Sequence, residues 1–190
     1  MYILLTLLSV TVSHASLTRR SSLHQAWLPH VAITSTPTPT SADCFLSHFT
    51  QPLDHFNSTN HATFPQRYFW NDTHFQPGGP ILYYTGNEAD VTLYVNATGL
   101  MWENAAELGA LLVFGEHRYY GESLPFPPKL LDNNKSGVAV SPTPEQLQWL
   151  SVEQSLADHK NLISHIKATI PGASTSKVVA IGGSYGGMQS

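Results

Sequence analysis

Five consecutive residues near the end of the chain, Gly182-Gly183-Ser184-Tyr185-Gly186, have the types and spacing that can turn a hydroxyl into a nucleophile. A serine flanked by glycines two positions away on either side fits a sharp turn from strand to helix. The glycines remove side chains that would collide with the neighbouring strand and helix. The Ser184 hydroxyl then projects above the sheet at the start of a helix, where free backbone amides favour negative charge developing on a substrate oxygen. The implied chemistry is attack of a serine oxygen on a carbonyl carbon. The amide of Tyr185 is expected to be one oxyanion donor. The second is expected from a loop after an earlier strand, for which Gly86-Asn87-Glu88 is the candidate: Gly86 and Asn87 through their backbone N–H groups, Asn87 and Glu88 also as substrate contacts.

A serine hydroxyl needs a base and an acid that orients it, and in the strand–turn–helix setting both follow the serine in the chain. All ten histidines precede Ser184, and Tyr185 to Ser190 contain no His, Asp or Glu. His159 and His165 fall on a helix expected to pack on a sheet, so they are read as surface or partly buried polar residues. His117, next to Arg118 and between acidic residues, is read as part of a structural hydrogen-bond network. The triad is therefore unfinished within these residues, and the chemistry calls for no metal and no cofactor.

The elements that must position the serine can be read from periodicity. Phe45–Thr50 and Arg67–Trp70, separated by Pro52, Asp54 and Asn57, suggest an antiparallel strand pair. Residues 81–85 (ILYYT), 110–114 (ALLVF) and 177–181 (KVVAI) are short apolar runs of the kind expected for strands covered on both faces. Met101–Leu108 predicts a helix closed by Gly109. Ser151-Val152-Glu153-Gln154 has the form of a capping box, with Gln154 reaching back. Behind it Val152, Leu156, Ile163, Ile166 and Ile170 predict an amphipathic helix stopped by Pro171-Gly172. Residues 125–144 are expected to be irregular. Strands alternating with crossover helices predict an α/β fold with a mostly parallel sheet, and the elbow makes it the N-terminal part of an α/β-hydrolase fold.

Composition narrows the setting. Charged residues make up 12% of the 190 residues, against roughly 25% in an average soluble domain. The net charge of -4 with no basic block excludes nucleic acid as the expected partner. Met1–Ala15 has the apolar run and small-residue end of a signal peptide. It is too short to span a bilayer, which takes about 20 apolar residues. Residues 16–43, with the tract TSTPTPTSAD at their end, read as a Ser/Thr/Pro-rich linker or pro-segment, and the folded part is expected from Cys44 to Ser190. Asn57, Asn71, Asn96 and Asn134 each open an Asn-x-Ser/Thr tripeptide and are candidate glycan acceptors on an exported chain. Cys44 is the single cysteine, odd for such a chain, and its partner is expected to lie elsewhere.

Two segments carry a family resemblance: Ala180-Ile181-Gly182-Gly183-Ser184-Tyr185-Gly186-Gly187-Met188, and Glu116-His117-Arg118-Tyr119-Tyr120-Gly121-Glu122-Ser123. With Phe49–Phe56, Phe64–Tyr68, Tyr84–Glu88 and Ser151–Asp158 they resemble the proline-specific serine exopeptidases, the family that includes lysosomal Pro-Xaa carboxypeptidase and dipeptidyl peptidase II. The resemblance implies an α/β-hydrolase domain interrupted by a helical cap, with Ser184 in the place of the nucleophile. It also implies a triad Asp and His in a C-terminal part, and peptide substrates with proline near a terminus. A secreted or lysosomal/vacuolar location and a homodimer of the full-length protein are further expectations; carboxypeptidase and dipeptidyl-peptidase action both stay open. The chain departs from the family by ending before that Asp and His, the remaining strands, the cap and any partner for Cys44. Gln189-Ser190 also stands where an apolar helix is expected. The expectation is thus a fragment, a truncated gene model or a splice product, which alone would be inactive and would fold poorly with its nucleophile strand as an unpaired edge. Two other readings are an esterase or lipase on the same fold, and a non-catalytic exported glycoprotein.

Overall fold

The computed structural model describes residues 38–126 and 142–190. The signal peptide, residues 16–37 of the linker segment and Asn134 lie outside the described residues. Five strands, β1 (Phe45–Pro52), β2 (Thr63–Asn71), β3 (Ile81–Thr85), β4 (Leu111–Gly115) and β5 (Val178–Ile181), form one sheet in the spatial order β1-β2-β4-β3-β5. β1 and β2 are antiparallel, as are β2 and β4, whereas β4, β3 and β5 run parallel. Helices α1 (Val91–Ala97) and α2 (Gly99–Leu108) connect β3 to β4. α3 (Val152–Thr169) leads from β4 past β3 to β5, and α4 (Ser184–Met188) follows β5. This is the expected α/β-hydrolase arrangement, in its N-terminal part.

Every residue of β3 and β4 is buried, as their unbroken apolar runs require. Because side chains alternate along a strand, each strand feeds two cores. Leu82, Tyr84, Leu112 and Phe114 pack with Val91, Val95, Met101 and Ala105 of α1 and α2. Ile81, Tyr83, Leu111 and Val113 pack on the other face with Leu162 and Ile166 of α3. α2 ends as predicted, with Gly109 in the left-handed region at φ 59° and its N–H turned back to Ala105 and Ala106.

Four differences from the sequence reading have physical causes. α1 was not foreseen, because Val-Thr-Leu-Tyr-Val favours strand. The Asp90 carboxylate accepts the Thr92 N–H at 2.8 Å, and this cap, with burial of Val91 and Val95, outweighs propensity. The linker boundary at Asp43 is too late: Thr40–Asp43 form a capped turn, Ser41 N–H donates to Asn96 Oδ1 at 2.8 Å, and Asn71 Nδ2 donates to the Asp43 carbonyl at 2.6 Å. The capping box at α3 is only half made. Ser151 Oγ accepts the Gln154 N–H at 3.3 Å, but the Gln154 side chain donates to Asp54 Oδ1 at 2.8 Å and accepts from His55 N–H at 2.9 Å. Finally, β5 is not covered on both faces: it is the outer strand among the described residues, and Val179 is 47% exposed.

The start of α3 turns a polar face inward. Val152 and Leu156, expected on the buried stripe, are exposed, while Gln154, Ser155, Asp158 and His159 are buried. The cause is Arg118, which is fully buried. Its Nε and Nη2 donate to Asp158 Oδ2 and Oδ1 at 2.6 and 2.8 Å, and its Nη1 donates to the carbonyls of Leu53 and Trp149 at 2.9 and 3.0 Å. A guanidinium in that position demands a carboxylate, so the helix rotates Asp158 toward it. His55 Nε2, 2.7 Å from Asp158 Oδ1, joins the connection between β1 and β2 to the same carboxylate.

Asp158→Asn leaves Arg118 buried without its counter-charge, and urea denaturation is expected to show a loss of about 3–5 kcal/mol. Lys160→Ala, at an exposed position of the same helix, should stay within about 0.5 kcal/mol. In the 190-residue chain, Val179→Lys on the outer strand should raise the monomer fraction in light scattering, because a charge there opposes edge pairing.

Candidate active site

β5 ends at Ile181 and α4 begins at Ser184, so Gly182 and Gly183 make the turn between them. Ser184 has φ 51°, in the left-handed region, a conformation that costs a non-glycine residue about 1–3 kcal/mol. Tight packing against the end of β3 imposes it. A Cβ on Gly182 would lie 2.5 Å from both Thr85 Oγ1 and the Gly186 oxygen, and one on Gly186 would meet the Thr85 carbonyl and lie 2.9 Å from Asn87 Oδ1. The Thr85 hydroxyl reaches both limbs of the turn, at 2.7 Å from the Gly186 carbonyl and 3.2 Å from that of Ile181. Ser184 itself is exposed at the tip.

Two of the three amides expected to face a developing oxyanion have no acceptor among the described residues: Tyr185 N–H, in the first turn of α4, and Asn87 N–H. The third does not fit. Gly86 N–H donates to the Gly115 carbonyl at 3.0 Å, because the ladder between β3 and β4 continues one residue past β3. Gly86 serves instead by its lack of a side chain, since a Cβ there would lie 2.5 Å from the Gly115 oxygen. The Asn87 side chain is turned inward, its Oδ1 accepting from the Tyr84 hydroxyl at 3.1 Å, which ties the loop back to β3. Glu88 is exposed. The sequence places Tyr84 and Thr85 on a strand and within a segment that carries the family resemblance, and gives neither a role at the turn. A threonine directly before the Gly86-Asn87 turn was the available signal.

The three nearest histidines are not placed as a base. His117 is buried, with Nδ1 2.7 Å from the Arg118 carbonyl and its ring 5.6 Å from that of Tyr185, and burial lowers its pKa. This is the structural network expected of it. His159, expected at or near the surface, is buried. Its Nδ1 lies 2.9 Å from the Tyr83 hydroxyl, and desolvation pulls its pKa down to about 4. His165 is half-buried and stacks on Phe49 at 4.6 Å. Among the described residues no histidine hydrogen-bonds Ser184.

The described glycan acceptors divide. Asn57 is exposed, with its Oδ1 accepting the Thr59 hydroxyl at 2.7 Å, and Asn96 is exposed on α1. Asn71 is buried and its Nδ2 is already bonded to Asp43, so this fold leaves no room for a glycan there. Among the described residues no group of three or more His, Cys, Asp or Glu could hold a metal, and no helix is long and apolar enough to cross a membrane.

Comparison with known proteins bears on the same segments. Residues 51–190 match the family described as Serine carboxypeptidase S28. The Lysosomal Pro-X carboxypeptidase of Mus musculus is 46% identical over 186 residues, covering 97% of this chain and 36% of that protein. The Homo sapiens protein of the same name is 44% identical over 188 residues, covering 98% and 36%. The chain thus spans 36% of the length of these relatives. Among solved structures, an S-formylglutathione hydrolase from Agrobacterium tumefaciens superposes with a TM-score of 0.42 at 17% identity, covering 80% of this chain and 53% of that one. The range of the family match takes in the end of β1 and the elbow at Ser184, and the chain belongs to the serine carboxypeptidase S28 family.

Proposed function

We propose that this chain carries the nucleophile-bearing part of a serine peptidase that cleaves peptide bonds next to proline near a chain end. The observation that supports it most is an exposed serine held in the left-handed region, with the Tyr185 and Asn87 amides unclaimed beside it. In this reading Ser184 Oγ attacks the carbonyl carbon of the scissile bond, and its proton passes to a base. The carbonyl oxygen, now an anion, is received by the Tyr185 and Asn87 N–H groups. The base then protonates the departing amine, and water releases the acyl group from Ser184 to regenerate the hydroxyl.

The base and its orienting acid are proposed to be a histidine and an aspartate outside these 190 residues, since His117, His159 and His165 are held by other groups and none of the described histidines hydrogen-bonds Ser184. The 190-residue chain alone is accordingly proposed to be inactive. Proline next to the scissile bond, and carboxypeptidase rather than dipeptidyl-peptidase action, are favoured by what the relatives are called. The signal-like start and the exposed Asn57 and Asn96 favour an exported glycoprotein, lysosomal or secreted. Glu88, exposed beside Asn87, is the proposed side-chain contact to substrate.

With full-length protein, a fluorophosphonate probe is expected to label the wild type and not Ser184→Ala, and peptides ending in Pro-X should lose the terminal residue. Replacing that proline by alanine should slow release by at least about 10-fold, a discrimination within the reach of one shaped pocket. Labelling that survives Ser184→Ala would sink the assignment. On secreted material, Asn57→Gln and Asn96→Gln should each remove one mass step sensitive to deglycosylation, and Asn71→Gln none.

A further inference from the structure

The loop that carries the Asn87 amide is anchored at both ends by consecutive residues of one strand end. Gly86 N–H donates to the Gly115 carbonyl at 3.0 Å, and Val91 N–H donates to Glu116 Oε1 at 3.1 Å. Between these anchors the Ala89 N–H folds back on the Asn87 carbonyl at 2.9 Å. Glu116 is a charged residue at 0% exposure, so its environment must satisfy it completely. Its Oε2 accepts the N–H groups of Glu122 and Ser123 at 3.0 and 2.9 Å and the Ser123 hydroxyl at 2.7 Å. Arg67 donates to Oε1 from Nη2 at 2.5 Å and to Oε2 from Nε at 3.2 Å. The same Nη2 lies 2.6 Å from Asp90 Oδ1, in the loop itself.

A buried ion pair that only joins β2 to the end of β4 would need Arg67 and Glu116 and nothing more. It would not need one carboxylate oxygen committed to Val91 N–H, nor a guanidinium extended past its partner to Asp90. These two contacts have a single geometric consequence: they fix how far the far end of the 86–90 loop stands from the strand on which its near end is pinned. We propose that Glu116 is a positioning residue for the hydrolytic reaction, its carboxylate and Arg67 together setting the span of the loop and so the aim of the Asn87 amide at the elbow. The inference rests on the roles proposed for Ser184 and Asn87. Oxyanion donors act only when directed at the place where charge develops. A displacement of about 1 Å by a change away from the chemistry can cost about 100-fold in rate. Loosening the far anchor therefore lowers turnover more than it lowers affinity for the uncharged ground state.

The test uses full-length protein and a Pro-X peptide. Asp90→Asn keeps an oxygen to cap Thr92 N–H but removes the charge that pairs with Arg67. Glu116→Gln removes the central charge. Glu122→Gln removes an exposed partner of Arg67 at 2.9 Å that does not touch the loop. The expected result is a fall in kcat of about 10-fold for Asp90→Asn and about 100-fold for Glu116→Gln, with KM within about two-fold and Glu122→Gln at the wild-type value. Hydrogen exchange of Asp90→Asn should also quicken at the amides of residues 86–91 and not in β4, a readout that stands even if Glu116→Gln fails to fold. Unchanged kcat and unchanged exchange in Asp90→Asn would overturn the proposal, as would a rise in KM without loss of kcat. Turnover that persists in Ser184→Ala would instead overturn the serine reading on which it stands.

Discussion

At the tip of β5 the backbone of Gly182 and Gly186 lies against Thr85 so closely that a methyl group on either glycine would have to displace another atom. The rest of the site depends on that contact. It bends the chain sharply enough to force Ser184 into the left-handed region, and it holds the first turn of α4 over the end of β3. The strain of about 1–3 kcal/mol at Ser184 persists because the parallel pairing of β3 with β5 leaves the turn no alternative path. An exposed hydroxyl and an unclaimed Tyr185 amide follow from the same bend.

The second constraint is charge placed in the interior of a chain that has little of it. Of nine Lys and Arg residues, Arg118 is fully buried and Arg67 is 4% exposed. In buried ion pairs the desolvation of both groups offsets much of the Coulomb attraction, so net stability is not their main effect. Their effect here is placement. Arg118 draws Asp158 inward and thereby rotates α3, exposing Val152 and Leu156. Arg67 and Glu116 gather the loops that follow β3 and β4 at the end of the sheet where the elbow opens.

The fold was legible wherever the signal is local. The apolar runs of β3 and β4, Gly109 at the end of α2, Ser151 at the start of α3 and the glycine spacing about Ser184 each depend on residues within one turn of one another. α1 shows the limit, since its cap at Asp90 was readable but its strand-favouring composition concealed it. Gln154 shows the same limit from the other side: its local role as a capping-box partner lost to a bond with Asp54, about a hundred residues away.

By itself the sequence determined that an α/β sheet ends in a strand–turn–helix with a serine at its tip, because backbone strain, capping and side-chain alternation are set by near neighbours. Only the tertiary structure decided which polar groups remain free to act. Gly86 lost its amide to Gly115, Asn71 its side chain to Asp43, and His159 its place at the surface to Tyr83. Each of these outcomes depends on a partner far along the chain, and a hydrogen-bonding group inside a protein is available only when no such partner has reached it first.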